Sequence, residues 1–154
     1  MLIEEKRLIN ASQSIVWSVT EDVNSWSQWT PTIEYAVRLD DGPFDVGSTV
    51  RIKQPNLPDA VWRVTALTKG DGFTWESRVR GIRMVATHEL LPCAEGTKSI
   101  LRLEVPGVVG MLLWHFISGP IRKAIAQENT CLKAACEAIS KSTLRDKTEY
   151  HSKD

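Results

Sequence analysis

The chain has 154 residues, and its 19 basic and 19 acidic side chains cancel. That length is one domain with room for a real core, and zero net charge gives no electrostatic reason to expect nucleic acid or an anionic membrane as partner. The longest apolar run, residues 105–117, contains Pro106 and two glycines and falls well short of the roughly 20 residues that span a bilayer.

The chain opens on Met1-Leu2-Ile3-Glu4-Glu5-Lys6, which has no apolar signal-peptide core. Residues 2–10 read as a first strand. Asn10 or Ser12 offers an N-cap, and residues 14–20 and 22–29 then read as two short helices, closed by Thr30-Pro31. From Ile33 the period changes to two: Ile33, Tyr35, Val37 and Leu39 alternate with Glu34, Ala36 and Arg38. Asp40-Asp41-Gly42-Pro43 is a turn. Residues 49–54 form a short strand, with Val50 and Ile52 facing away from Arg51 and Lys53.

Pro55-Asn56-Leu57-Pro58 interrupts before the next strand, residues 60–69, which ends in a Gly70-Asp71-Gly72 hairpin turn. Residues 73–79, 83–91 and 99–105 complete the series, with turns at Gly81 and over residues 92–96. A long helical pattern covers residues 107–141. Trp114, Ile117, Ile121, Ile125, Leu132, Ala135, Cys136 and Ile139 fall on one stripe at about 100° per residue.

Two details break that regularity. Pro120, after Gly119, removes a backbone donor and predicts a kink. Glu128 lies on the apolar stripe, where a carboxylate needs a partner, a wet cavity or a raised pKa. Before the proline the pattern is apolar nearly all round, with Val108, Val109, Met111, Leu112, Leu113 and Phe116 joining the stripe. Burial between the sheet and the short helices is the expectation for this segment. A gate, or a contact surface for a membrane or a second subunit, is the alternative, because Leu112 and Phe116 lie off the stripe. The domain is expected to span residues 1–142, and the polar tail 143–154 to be disordered.

The order of elements is strand, two short helices, six strands, long helix. It predicts an α+β fold: a curved antiparallel sheet of about seven strands wrapped around the C-terminal helix. Several local runs fit that order. They are Ser25-Trp26-Ser27-Gln28-Trp29-Thr30-Pro31, Asp45-Val46-Gly47-Ser48, Lys53-Gln54-Pro55-Asn56-Leu57-Pro58 and Trp62-Arg63-Val64-Thr65. Phe73-Thr74-Trp75, Ala86-Thr87-His88, Glu95-Gly96-Thr97, Glu128 and Leu132-Lys133 complete the set. Together they resemble the helix-grip superfamily (the START-like, SRPBCC group), which includes START-type lipid-transfer domains, the birch-pollen-allergen fold and polyketide cyclase/dehydrase-like proteins. The similarity is nearest to the small bacterial polyketide-cyclase-like branch and runs from the first strand to about Ser140. No single run is diagnostic; their order is. The resemblance implies a fold and a cavity more than a reaction, since members bind lipids, sterols, polyketides or hormones and some catalyse cyclisation or dehydration.

Under that fold, alternation groups Trp62, Val64 and Ala66 on the face toward the helix. It does the same for Phe73, Trp75 and Ser77, for Met84, Ala86, His88 and Leu90, and for Leu101, Leu103 and Val105. The residues expected to touch a ligand are Trp26, Tyr35, Trp62, Trp75, Met84, Trp114, Ile117 and Ile121. For any one tryptophan, ordinary core packing is the plainer reading; several together suggest a pocket. His88 suits proton transfer near neutral pH, and Glu128 is its candidate partner. The plainer readings are a histidine bonded to a backbone carbonyl or a tryptophan, and a carboxylate held by an arginine or by backbone donors.

No other pattern points to chemistry. His115 and His151 are not spaced for a metal with His88 or with a cysteine pair, and Cys93, Cys131 and Cys136 read as reduced thiols of a cytoplasmic protein. No metal or cofactor is expected. The partner is a hydrophobic small molecule, and a homodimer is compatible with the pattern. The leading reading is therefore a binding or carrier protein for a lipid-like or aromatic, polyketide-like compound. The alternatives are a cyclase- or dehydratase-type enzyme using His88 as acid or base, and a ligand-free protein-interaction module. Ligand access would need motion of residues 40–48 or 55–59, or of the helix near Gly119-Pro120.

Overall fold

The computed structural model describes the backbone of residues 1–151 and the side chains of residues 1–108 and 110–145. Its elements are β1 (Leu2–Ile9), α1 (Gln13–Glu21), a 3-10 turn (Val23–Ser25), α2 (Trp26–Trp29), β2 (Tyr35–Arg38), β3 (Thr49–Lys53), β4 (Ala60–Thr68), β5 (Gly72–Val79), β6 (Ile82–Cys93), β7 (Gly96–Glu104) and α3 (Val108–His151). The seven strands form one antiparallel sheet in the order β1-β7-β6-β5-β4-β3-β2. This is the α+β helix-grip architecture expected from the sequence. β1 and β2 sit at opposite edges, so the chain between them must cross the sheet. It crosses as α1 and α2, whose Val16, Trp17 and Trp26 join the same core as the inner sheet residues.

Local chemistry accounts for most element ends. Ser12 is extended, and its Oγ accepts from the Ile15 N–H at 3.4 Å, which caps α1. β6 and β7 pair to the last residue before a two-residue turn, Cys93 opposite Gly96, so both strands exceed the expected lengths. Gly72 shows how tightly the β4–β5 hairpin meets β6. Its φ is +144°, and a Cβ there would lie 2.0 Å from the His88 carbonyl oxygen.

Alternation fails at two positions. In β4, Val64 pairs with Trp75 but Ala66 pairs with Thr74, so Thr65 is an extra residue. This bulge inverts the phase beyond it: Ala66 is exposed, and Leu67 packs against the core instead. In β2, pairing begins only at Tyr35, after a turn and bend. The phase set by buried Ile33 therefore does not continue: Ala36 is buried, while Tyr35, Val37 and Leu39 are exposed.

Asp40 ties down the loop between β2 and β3. Its carboxylate accepts from the Thr49 N–H at 2.6 Å, Arg38 at 2.6 Å and Ser48 Oγ at 3.0 Å. Desolvation pushes this carboxyl up, but the bonds from Thr49, Arg38 and Ser48 outweigh it and hold the group below its ordinary value. Its contribution to stability is thus present above the unfolded-state pKa and is lost as pH falls through the lower folded-state value. In urea melts, Asp40→Asn is expected to lower the midpoint at pH 7, and the gap from wild type should narrow toward pH 3. An equal gap at both pH values would contradict this account.

The C-terminal half of α3 is held along β1. Asn129 Nδ2 donates to the Glu5 carbonyl at 3.5 Å, Lys133 Nζ to the Leu8 carbonyl at 2.9 Å, and the Asn10 N–H to Glu137 at 2.8 Å. Leu132 and Cys136 are fully buried in the core, and burial pushes the Cys136 thiol up to about 12. The helix runs without interruption through Pro120, although that residue has no N–H to give the Phe116 carbonyl. It also continues past Ser142, where the sequence suggests the domain ends, to His151; residues 152–154 of the expected tail lie outside the described residues.

One expectation is overturned here. Residues 111–116 are not enclosed: Leu112 is 72% and Phe116 78% exposed. All-round apolarity suggested burial, but the sheet and short helices cover only one side of this half of the helix, the side of Trp114 and Ile117.

Candidate functional site

Cross-strand register turns the inner face into rows, because residues directly opposite point to the same side. One row runs Val50, Trp62, Ser77, Met84. The next runs Val64, Trp75, Ala86, Leu103, Ile3. The third runs Phe73, His88, Leu101, Glu5. His88 thus sits on β6, the third strand from the β1 edge, on the side of the helix.

His88 is 6% exposed and enclosed by aromatic rings. It stacks on Phe73 with centroids 4.7 Å apart and planes at 19°. Trp75 meets it edge-on at 5.6 Å, and Trp26 approaches at 5.2 Å. Its fourth neighbour is polar: Nε2 lies 3.3 Å from Glu128 Oε1, delivered from α3 across the layer. The two side chains are 7% and 15% exposed. With Glu128 ionised the carboxylate can only accept, and Nε2 is then the donor in this contact. In a neutral ring Nδ1 is then a bare acceptor, and it is buried with no partner. Ser77 Oγ, on the same inner face, is also buried and unpartnered.

The aromatic cluster extends on both sides. Trp62 packs on Trp75 at 5.4 Å, Trp29 on Trp26 at 5.8 Å, and Phe44 edge-on against Phe73 at 5.0 Å. Trp26 is fixed by its indole N–H, which donates to the Thr20 carbonyl at 3.1 Å.

Burial along α3 divides the layer into a closed end and an open end. Asn129, Leu132 and Cys136 are fully buried, whereas Trp114, Ile117, Ile121 and Ile125 pack against the core and stay partly exposed. On the sheet, Met84 and Ala86 are likewise packed but only half-buried. The protein's own side chains do not fully cover this apolar lining, and the His88–Glu128 pair sits where closed gives way to open.

Of the residues named from the sequence, the structure brings His88 and Glu128 into contact, sets Trp26 and Trp75 against His88, and packs Trp62 on Trp75. Met84, Trp114, Ile117 and Ile121 lie on the apolar lining. Tyr35 does not join them: it is exposed, and its hydroxyl bonds Asp59 at 2.5 Å on the outer side. Phe44 escapes sequence reasoning, since it sits in a loop with no periodicity to flag it. Phe73 is placed on the inner face by alternation, but its stacking on His88 follows from register alone. Among the described residues, no cluster of three or more His, Cys, Asp or Glu could hold a metal.

Comparison with known proteins agrees with this architecture. The family model described as polyketide cyclase / dehydrase and lipid transport matches residues 2–137. A protein from Thermus thermophilus superposes with a TM-score of 0.73 at 16% identity, over 91% of this chain and 99% of its own. A START superfamily protein from Mycobacterium smegmatis gives 0.67 at 15% identity, over 90% and 98%. DynU16, from the dynemicin biosynthetic locus, gives 0.69 at 15% identity, over 90% of this chain and 48% of its own. Likeness at these identities carries fold and no reaction. No curated protein matches the chain.

Proposed function

The chain belongs to the polyketide cyclase / dehydrase and lipid transport family, and on that premise we propose that it binds a hydrophobic small molecule between the sheet and α3. The observation that carries this reading is the half-open apolar lining that ends on a buried polar pair. Met84, Ala86, Trp114, Ile117 and Ile121 supply apolar wall. At its inner end, His88 and Glu128 supply a donor, an acceptor and an unused ring nitrogen among aromatic rings. Such a composition, apolar walls with a few converging polar atoms, suits a lipid-like or aromatic compound carrying one hydroxyl or carbonyl. A hydroxyl on the ligand would satisfy His88 Nδ1; Ser77 Oγ is a second point of attachment.

Native mass spectrometry of gently purified protein tests this reading. The expected result is a co-purified mass that is released on unfolding and reduced in Trp114→Ala, a change at a partly exposed wall residue. Absence of any adduct, together with unmoved indole N–H resonances of Trp26, Trp62 and Trp75 when long-chain fatty acid or a polycyclic aromatic is added, would refute it.

The His88–Glu128 contact also supports a second reading, acid/base catalysis on the bound molecule. A carboxylate that orients an imidazole is a recurrent arrangement for proton transfer. His88→Gln should then retain the ligand and lose turnover. Under the binding reading, the same variant weakens retention and there is no turnover to lose.

A further inference from the structure

The N-terminal half of α3 is apolar on two opposite faces. Trp114, Ile117 and Ile121 face the core, whereas Val108, Leu112 and Phe116 lie within about 40° of one outward line. Met111 is exposed beside them. Lys123 returns to the outward line two turns on, Arg122 lies next to it, and both are exposed. No Asp or Glu occurs between Glu104 and Glu128. The exposed apolar patch therefore has only cations at its rim within this segment, although the chain as a whole is neutral.

We propose that this half of α3 docks the protein reversibly on an anionic lipid bilayer. Val108, Met111, Leu112 and Phe116 enter the boundary between headgroups and acyl chains, and Arg122 and Lys123 meet lipid phosphates. Among the described residues no helix is long and apolar enough to cross a membrane, so the helix lies in the surface plane. Net neutrality does not oppose this, because charges more than about 8–10 Å away are screened at physiological salt. A second copy fits the face less well, as it would bring two basic rims together with no carboxylate from the segment to meet them. The surface is opposite the ligand-facing stripe, and docking does not depend on an enclosed ligand.

The test is co-sedimentation of the full chain with vesicles of phosphatidylcholine containing about one-third phosphatidylglycerol, and with pure phosphatidylcholine. Binding is expected to the anionic vesicles and to fall with salt. Leu112→Ser combined with Phe116→Ser should weaken it by about tenfold or more. Arg122→Gln and Lys123→Gln should each weaken it roughly fivefold on anionic vesicles only. These side chains are exposed, so unchanged thermal melting of each variant is the control for folding. Failure to bind anionic vesicles would overturn the proposal, as would binding that Leu112→Ser with Phe116→Ser leaves intact. A concentration-dependent dimer that survives on vesicle-free protein and is abolished by that double variant would assign the face to a second copy and overturn it equally.

Discussion

Trp75→Ala is expected to lower folding stability by about 3–5 kcal/mol, the range for deleting a large aromatic from a packed core. Trp75 is 3% exposed and stands at the centre of the ring cluster. Trp26 and Trp62 each lie 5.4 Å from it, Phe73 5.1 Å and His88 5.6 Å. Truncation takes one neighbour from each of the four rings; strand pairing fixes Trp62, Phe73 and His88, and the bond to Thr20 fixes Trp26, so they cannot all collapse into the gap. A domain of this size holds only about 5–15 kcal/mol in total. The urea midpoint should therefore fall steeply, and the melting temperature by on the order of 10 °C. Trp75→Phe keeps most of the ring volume and should lose much less. A loss under about 1 kcal/mol for the alanine variant would show that these rings are loosely packed.

The second large effect concerns the polar pair. Removing either partner leaves the other largely out of water without its bond, which costs about 1–3 kcal/mol for an unsatisfied buried group. His88→Leu is the more damaging single change, because it leaves a carboxylate that is only 15% exposed without its donor. Glu128→Leu should cost less, since the imidazole can remain neutral and stack on Phe73. The double variant, His88→Leu with Glu128→Leu, should lose clearly less than the two singles summed, with a coupling of about 0.5–3 kcal/mol. Strict additivity would mean that the 3.3 Å contact carries no energy. The same cycle repeated on ligand retention separates packing from binding, because only a ligand-orienting role makes the double variant lose its cargo while regaining stability.

How far the site is legible in the sequence differs from residue to residue. His88 sits on an apolar strand face and Glu128 on an apolar helix stripe, and both placements follow from period alone. Their meeting does not: the residues are 40 apart in the chain, and no local pattern states which turn of a helix lies over which rung of a sheet. Tyr35 shows the opposite case, where alternation is real but its phase, counted from Ile33, passes through a bend. Ala66 escapes the pattern because a bulge leaves no fixed mark in a Val-Thr-Ala stretch. The neutral total charge conceals a basic segment next to exposed apolar side chains, since a sum over the chain contains no geometry.

The sequence by itself determined the kinds of element, their order and, for most strands, the face that turns inward. These follow from steric preferences that act over a few residues: a period of two in strands, 3.6 in helices, and breaks at Gly and Pro. Only the tertiary structure decided which apolar faces are covered. Coverage depends on long-range pairing, on β1 and β2 lying at opposite edges and on α3 being held along β1. The first half of that helix is thereby left with one face on the core and the other in solvent. An apolar residue is equally apolar in either place, so periodicity could set Ile121 on the stripe and Phe116 off it but could not say that Phe116 would be left uncovered.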